Sequence, residues 1–247
     1  MGDWMDPRVP VITQDNCFHR PTIICCLNTH MIVSHRHKLI FTHIPKNAGT
    51  SIRAWFERWV PDADEIPNVD KHMTPHHVHT RHLDNYTHFA VVRNPYDRLL
   101  SQYNFHVERH EEYLKPKSKL RNKEWANEKY NELKQGFSNW LTDPYPIADR
   151  EAKWYDYRWC PQSLWCTPDT HILKFETLEQ DFKWVQDKVG NNVEDAGLQR
   201  LNITTSDNDH RTSANRVLLA PHRQLILSHL LVDFKRFGYA PDFDRDS

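Results

Sequence analysis

The sequence predicts an α/β protein with a P-loop-like central parallel sheet flanked by helices. Three short, apolar segments rich in β-formers have the length and composition of buried strands: 38–44, 88–93 and 170–175. Helical patterns separate these segments. From Thr50 the apolar residues recur at i, i+3, i+4 and i+7, and Pro61 ends the pattern. Strands that alternate with helices are typical of a parallel sheet.

The second strand opens another strand–loop–helix unit. Asn94 and Pro95 begin a helix there, and proline is tolerated at the first helical position because its missing N–H has no intrahelical partner. Three apolar residues, Leu99, Leu100 and Tyr103, fall on one side of this helix. Further helices are predicted in three places: the charged segment 107–135 with a loop near Pro116, 178–189, and 221–237.

The length fits one domain over residues 1–247, with an N-terminal arm at 1–37 that contains a short strand and a core at 38–240. Nine Trp and eleven Phe supply apolar volume for that core. No internal repeat or Ser/Gly-rich linker divides the chain.

The formal net charge of −1 provides no global attraction to nucleic acid, so we expect anions to bind at local clusters. No apolar run approaches the roughly 20 residues of a membrane-spanning helix, and the first residues lack signal-peptide features. These observations predict a cytoplasmic protein, with the Golgi lumen as the alternative if an N-terminal anchor has been removed. They do not predict an oligomeric state.

The cysteines favour reduced thiols. There are five, an odd number, and they are scattered widely along the chain. Cys160 and Cys166 flank a short loop, so a disulfide between them is the alternative in an oxidising compartment. The absence of any C-x-x-C pair argues against a structural zinc site.

The loop after the first strand, residues 43–51, has the chemistry of a phosphate-binding site. It leads into a helix N-terminus, whose unpaired N–H groups attract anions, and Lys46 adds a positive charge. Gly49 permits close backbone approach, and Thr50 and Ser51 add hydroxyl donors. The loop is not a Walker A motif, because the chain has no Gly-Lys pair, and the dispersed glycines exclude G-x-G-x-x-G.

Residues 43–51, His-Ile-Pro-Lys-Asn-Ala-Gly-Thr-Ser, resemble the 5′-phosphosulfate loop of the sulfotransferase superfamily, particularly its heparan sulfate 2-O-sulfotransferase-like carbohydrate branch. Residues 92–103, Val-Arg-Asn-Pro-Tyr-Asp-Arg-Leu-Leu-Ser-Gln-Tyr, resemble the family's 3′-phosphate motif. Weaker similarities occur at 174–178 and 233–239. Either motif alone is also compatible with an ordinary turn or helix start, but the two occur in the family's order.

The resemblance implies a sulfotransferase fold and the donor 3′-phosphoadenosine-5′-phosphosulfate (PAPS), which leaves as the bisphosphate PAP. It implies donor contacts from the first loop and from the second motif, with looser support for a segment near the C-terminus. These contacts are Lys46, Asn47, Ala48, Gly49, Thr50, Ser51, Arg93, Ser101, Arg211 and Thr212. For Arg211 and Thr212, a surface loop is an equal alternative.

Two residues are predicted to act in catalysis. Lys46 is placed to assist the departing phosphate, and His72 resembles the family's general base. Alternative bases are His43, His76 and His77. The cluster at 72, 76, 77, 79 and 82 also permits a zinc hypothesis, which Pro75 and the lack of a completing ligand disfavour. No metal is therefore predicted.

The function predicted is transfer of a sulfuryl group to a hydroxyl or amine of a carbohydrate or a small natural product. A P-loop nucleotide kinase or NTPase and a non-catalytic module that binds PAP or a glycan are the alternatives. Donor motifs carry no direct information about the acceptor. The basic run at 115–123 indicates either a solvated face or a surface for an anionic glycan.

Overall fold

The computed structural model describes residues 31–65, 84–120, 122–143, 157–190, 196–199, 201 and 208–243. Within these ranges, five strands form one sheet in the order β3-β1-β2-β4-β5. The strands are β1 (Ile32–Ser34), β2 (Leu39–Thr42), β3 (Ala63–Glu65), β4 (Thr87–Val92) and β5 (His171–Lys174). Strands β2, β4 and β5 are parallel neighbours, which confirms the predicted parallel sheet. Strand β2 and most of β4 are buried as predicted, whereas β5 is the last strand in this order and only its Leu173 is buried.

The sheet as a whole is mixed, which the sequence did not predict. Strand β1 pairs antiparallel with both β2 and β3. Only residues 35–38 connect β1 to β2, and so short a connection allows an antiparallel hairpin but not a parallel crossover. The short strand expected in the N-terminal arm is therefore an antiparallel addition to the parallel core.

Helices follow the strands. They are α1 (Gly49–Trp59), α2 (Pro95–Leu114), α3 (Lys123–Leu133), α4 (Phe137–Thr142), α5 (Leu178–Asp181), α6 (Lys183–Val189), α7 (Ser213–Leu219) and α8 (Arg223–Phe237). Short 3₁₀ turns occur at Gln162–Trp165, Phe175–Thr177 and Ala220–His222. The helices predicted from Thr50, Pro95, 178–189 and 221–237 are confirmed, as is the loop near Pro116 that separates α2 from α3.

The core lies on both faces of the sheet. Phe89 and Val91 of β4 pack with α1 and α6, whereas the alternating residues Ala90 and Val92 pack on the opposite face with Trp165. A further cluster joins α2, α4 and α8. Packing on both faces explains why β4 is an apolar run in the sequence and does not alternate with polar residues.

Cys160 and Cys166 are not joined by a disulfide in the structure, in agreement with the favoured prediction. Burial raises the pKa of the Cys166 thiol to about 12, so this side chain is a packing group and not a nucleophile. Among the described residues, no helix has the length and apolar character required to cross a membrane.

Candidate active site

The two strand–loop–helix units end at one edge of the sheet. Because β2 and β4 are adjacent and parallel, the loop at 43–48 and the turn at 93–94 both leave from the carboxyl ends of their strands. Helices α1 and α2 then begin beside each other, and open α/β sheets bind ligands at this edge. The fold thus brings together the two motifs that the sequence predicts as phosphate sites.

The first loop has an unusual backbone. Lys46 has φ 70° and Ala48 has φ 61°, and neither is glycine. A non-glycine residue in this left-handed region costs about 1–2 kcal/mol, so the surrounding structure must hold it there. Ala48 is the N-cap of α1, its methyl side chain makes no capping hydrogen bond, and its carbonyl accepts from the N–H groups of Ser51 and Ile52. Such turns can direct successive N–H groups toward an anion.

Gly49 is required for a reason that the sequence did not show. A Cβ atom added at Gly49 would lie 1.8 Å from Nε2 of His43. The His43 imidazole, which is buried and stacks on Phe41, therefore occupies the space that any other residue at 49 would need. The glycine thus allows a side chain of its own loop to approach closely.

Lys46 lies in an environment that disfavours its charge. Burial and the nearby charge of Arg93 lower the pKa of the Lys46 ammonium to about 7, while Glu108 opposes this shift. The Nζ atom lies 3.7 Å from the centre of the Phe105 ring on α2, a cation–π contact. The structure therefore holds Lys46 close to Arg93 with its ammonium over an aromatic face.

The second turn begins α2 with a side-chain cap and a proline. The Asn94 side chain accepts a hydrogen bond from the N–H of Tyr96 at 2.9 Å, and Pro95 occupies the first helical position. The Asn94 N–H donates to Oε1 of Glu176 at 2.7 Å, and Oε2 of Glu176 accepts from the Tyr239 hydroxyl at 2.8 Å. Segment 174–178, which has weak family similarity, therefore contacts the start of α2 through Glu176. Segment 233–239, which also has weak similarity, contacts it through the packing of Phe234 on Tyr96.

Arg93 is buried with its guanidinium 4.2 Å from the centre of the Phe175 ring. Its Nε has no hydrogen-bond acceptor among the residues that the structure describes. Burial lowers the pKa of Arg93, and the carboxylates of Asp97, Glu176 and Asp209 oppose this shift. A guanidinium stays protonated in proteins, so this buried donor remains charged and suits an anionic ligand.

The other residues predicted from the first loop differ in position. Asn47 points into the protein, where its Nδ2 donates to the Val91 carbonyl at 2.8 Å and to Oε1 of Gln162 at 2.6 Å. Ser51 is buried, and its Oγ accepts from the N–H of Leu201 at 3.0 Å. Thr50 is exposed in the first turn of α1. Donor contacts from these residues stay predictions.

Ser101 is buried in α2, about 10 Å along the helix axis from Asn94 at the usual rise per residue. Near the C-terminus, Arg211 forms a two-point ion pair with Asp209, and Thr212 caps α7 by accepting from the Asn215 N–H. The roles of Arg211 and Thr212 as donor contacts stay predictions.

A buried pair attaches this C-terminal segment to α2. Oδ1 of Asp97 accepts from the His210 N–H at 2.6 Å and lies 2.8 Å from its Nδ1. Asp97, Asp209 and His210 carry ligand-type atoms within 4.8 Å of one another. These hydrogen bonds, together with the ion pair between Asp209 and Arg211, account for their proximity.

The predicted base lies outside the described residues. His72 and the alternatives His76 and His77 fall within 66–83, as does the rest of the histidine cluster. His43 is described, and its ring packs between Phe41 and Gly49 as given above.

Two residues at the site were not predicted from the sequence. Gln162 contacts both loops, and Phe105 contacts Lys46. A glutamine in a short loop and a phenylalanine on a helix have no distinctive sequence pattern, so only their three-dimensional position identifies them.

A family model described as "Sulfotransferase family" matches residues 29–240. The chain belongs to this family. The prediction made from the two motifs is confirmed at this level: the protein is an enzyme that transfers sulfate, and the nucleotide kinase hypothesis is not supported.

Two relatives of this sulfotransferase are carbohydrate sulfotransferase 11 of Mus musculus and its counterpart in Rattus norvegicus. Each is 24% identical over 244 aligned residues, covering 85% of this chain and 67% of the relative. No solved structure matches this sulfotransferase significantly.

Proposed function

We propose that this sulfotransferase uses PAPS as donor and a carbohydrate hydroxyl as acceptor. The observation that carries the donor assignment is the pair of cations at one sheet edge: Lys46 in the loop after β2 and Arg93 in the turn after β4. Because β2 and β4 are adjacent and parallel, both cations follow strands that end at the same edge of the sheet, which suits a ligand with more than one anionic group.

The residues present fit a ligand that bears two phosphate groups. The buried Nε of Arg93 lacks an acceptor among the described residues, and a phosphate oxygen would supply one. The left-handed backbone at Lys46 and Ala48 precedes the N-terminus of α1, which favours a second anion. In this assignment Arg93 and Ser101 bind the 3′-phosphate, and Lys46 with the first loop binds the 5′-phosphosulfate.

In this proposal, PAPS supplies a sulfuryl group attached to a good leaving group. Lys46 neutralises the negative charge that collects on the departing 5′-phosphate oxygen, which is the largest contribution expected from the protein. His72 takes the proton from the acceptor hydroxyl as that oxygen bonds to sulfur. The burial around Lys46 limits water near the reacting groups and strengthens these electrostatic effects.

The carbohydrate acceptor is supported by the names of the two relatives, both of which are carbohydrate sulfotransferases. The basic run adds a surface for an anionic glycan. Lys115, Lys117 and Lys119 are exposed after the end of α2, whereas Lys123 donates to the carbonyls of Tyr113 and Lys115 and so caps that helix. Three exposed cations at one helix end create a local positive field despite the near-zero net charge.

An acceptor assay with labelled PAPS tests both parts of this proposal. The protein is incubated with uronic-acid polysaccharides, neutral oligosaccharides and small phenols or amines, and products are identified by the mass gain of one sulfuryl group. We expect label on a carbohydrate in the absence of added metal. Label only on a phenol or amine would overturn the carbohydrate acceptor. Binding of PAP without transfer to any acceptor would favour the non-catalytic module.

A further inference from the structure

The side chain of Gln162 joins the two loops of the site. Its Oε1 accepts from Nδ2 of Asn47 at 2.6 Å and from the main-chain N–H of Arg93 at 2.9 Å. Its Nε2 donates to the main-chain carbonyl of Arg93 at 2.8 Å. Gln162 is completely buried, so water does not compete for these bonds. One amide therefore connects the loop after β2 to the turn after β4.

The contact with Arg93 has the form of strand pairing. The amide of Gln162 binds both the N–H and the carbonyl of Arg93, as a neighbouring strand would at the end of β4. Asn47 adds a second connection to β4, because its Nδ2 also donates to the Val91 carbonyl. These bonds fix the main chain at both cation-bearing turns while leaving the two cations themselves outside the network.

Gln162 is itself held in place by a residue of α8. Asp233 on α8 is completely buried, and its two carboxylate oxygens accept from the N–H of Gln162 at 2.6 Å and of Ser163 at 2.9 Å. These two donors offset part of the cost of burying a carboxylate. The 3₁₀ turn that carries Gln162 therefore cannot shift without breaking a buried, charge-assisted contact.

We propose that Gln162 is a positioning residue that sets the separation and relative orientation of the two anion-binding turns. It thereby controls affinity for a ligand with two phosphates, and not affinity for either phosphate alone. The inference rests on the proposed function, which assigns one phosphate to each turn. Once one phosphate is bound, the second binds as an intramolecular group, and its effective concentration falls if the two turns move apart.

Binding of three nucleotides tests the inference. PAP carries both phosphates, while 5′-AMP and 3′-AMP each carry one, and Kd values are measured by calorimetry. The variant Gln162→Met keeps similar volume but removes all three side-chain hydrogen bonds. We expect its Kd for PAP to rise about tenfold, and its Kd for each monophosphate to change less than about threefold.

A second variant and a control keep the result interpretable. In Gln162→Glu one carboxylate oxygen still accepts from Asn47, but the other faces the Arg93 carbonyl oxygen and repels it. We therefore expect the same selective rise in the Kd for PAP, which tests the inference even if Gln162→Met does not fold. Gln186, which is half-buried and donates to the Ala196 carbonyl at 3.2 Å, is the matched control. We expect Gln186→Met to leave all three Kd values unchanged. Misfolded molecules lower the number of sites but not the ratio of Kd values.

The possible outcomes separate the two proposals. Equal losses for all three nucleotides, or an unchanged Kd for PAP, in the Gln162 variants would overturn the role of Gln162. If the unaltered protein binds none of the three nucleotides, the assignment of PAPS as donor fails. If it prefers PAP over the monophosphates and the Gln162 variants lose only that preference, both proposals are supported.

Discussion

The two turns at the sheet edge each carry a cation just before a helix, but different features stabilise their backbones. The first has an alanine N-cap whose side chain makes no capping hydrogen bond, two non-glycine residues with positive φ, and a glycine packed against His43. The second has the Asn94 cap and a proline at the first helical position, and neither Arg93 nor Asn94 has positive φ. The first loop thus depends on its surroundings for its shape, whereas the helix start at the second turn is also stabilised by its own local sequence.

The cations of the two turns differ in whether they can lose a proton. Lys46 has a pKa near 7 and lies over Phe105, so it can gain or lose a proton under ordinary conditions. Arg93 is more deeply buried but keeps its charge, because a guanidinium is not deprotonated in proteins. Under the proposed function, Lys46, which can change its charge, lies at the bond that breaks. Arg93, which keeps its charge, binds the end of the donor that does not react.

Replacement of these cations should give the largest effect and separate their roles. Lys46→Ala removes the charge at the leaving group, so we expect kcat to fall by about 10²–10³-fold. Arg93→Ala should mainly raise the KM for PAPS, because Arg93 contacts a group that does not change during the reaction. Steady-state kinetics at saturating acceptor measure both constants, with Lys46→Arg as the charge-retaining control. Full activity of Lys46→Ala would contradict the proposed mechanism.

The pH dependence of PAP binding should also distinguish the turns. The ammonium form of Lys46 binds an anion, and its pKa in the free protein is about 7. Above that pH, binding must take up a proton, so Kd should rise by up to about tenfold per pH unit between about pH 7 and pH 9. Calorimetry across this range measures the slope, and Lys46→Arg should abolish it. A rise that persists in Lys46→Arg would exclude Lys46 as its source.

The smallest expected effects concern the stability of the first loop. Gly49→Ala places a methyl group against the His43 ring, and such overpacking costs about 1–3 kcal/mol in the free energy of unfolding. Ala48→Gly removes the steric cost of a left-handed conformation, so we expect the free energy of unfolding to change by less than about 1 kcal/mol and not to fall. Urea unfolding measures both. The double variant Gly49→Ala/His43→Ala should recover stability, and failure to recover would show that the cost has another origin.

Prediction from the sequence succeeded where local pattern controls structure. The apolar runs at β2, β4 and β5 and the helix starts at Thr50 and Pro95 predicted the parallel core correctly. Burial of β2 and β4 on both faces and proline at a helix start leave clear sequence patterns, whereas β5 is the last strand and only its Leu173 is buried. The antiparallel edge formed by β1 and β3 was not predicted, since each strand has only three residues and β2 and α1 lie between them in the sequence.

At the candidate site, too, local sequence patterns predicted some residues, and contacts distant in sequence identified the others. The spacing of Lys46, Gly49, Arg93 and Ser101 indicated the family and its two phosphate motifs from the sequence alone. Only the tertiary structure identified Gln162 as the side chain that joins the two turns, Phe105 as the ring under Lys46, and His43 as the reason for Gly49. Residues that bind a ligand recur with a fixed local spacing, whereas residues that position them contact them across the fold. For Gln162, the contacts span 115 residues to Asn47 and 69 to Arg93, and no local sequence pattern carries that information.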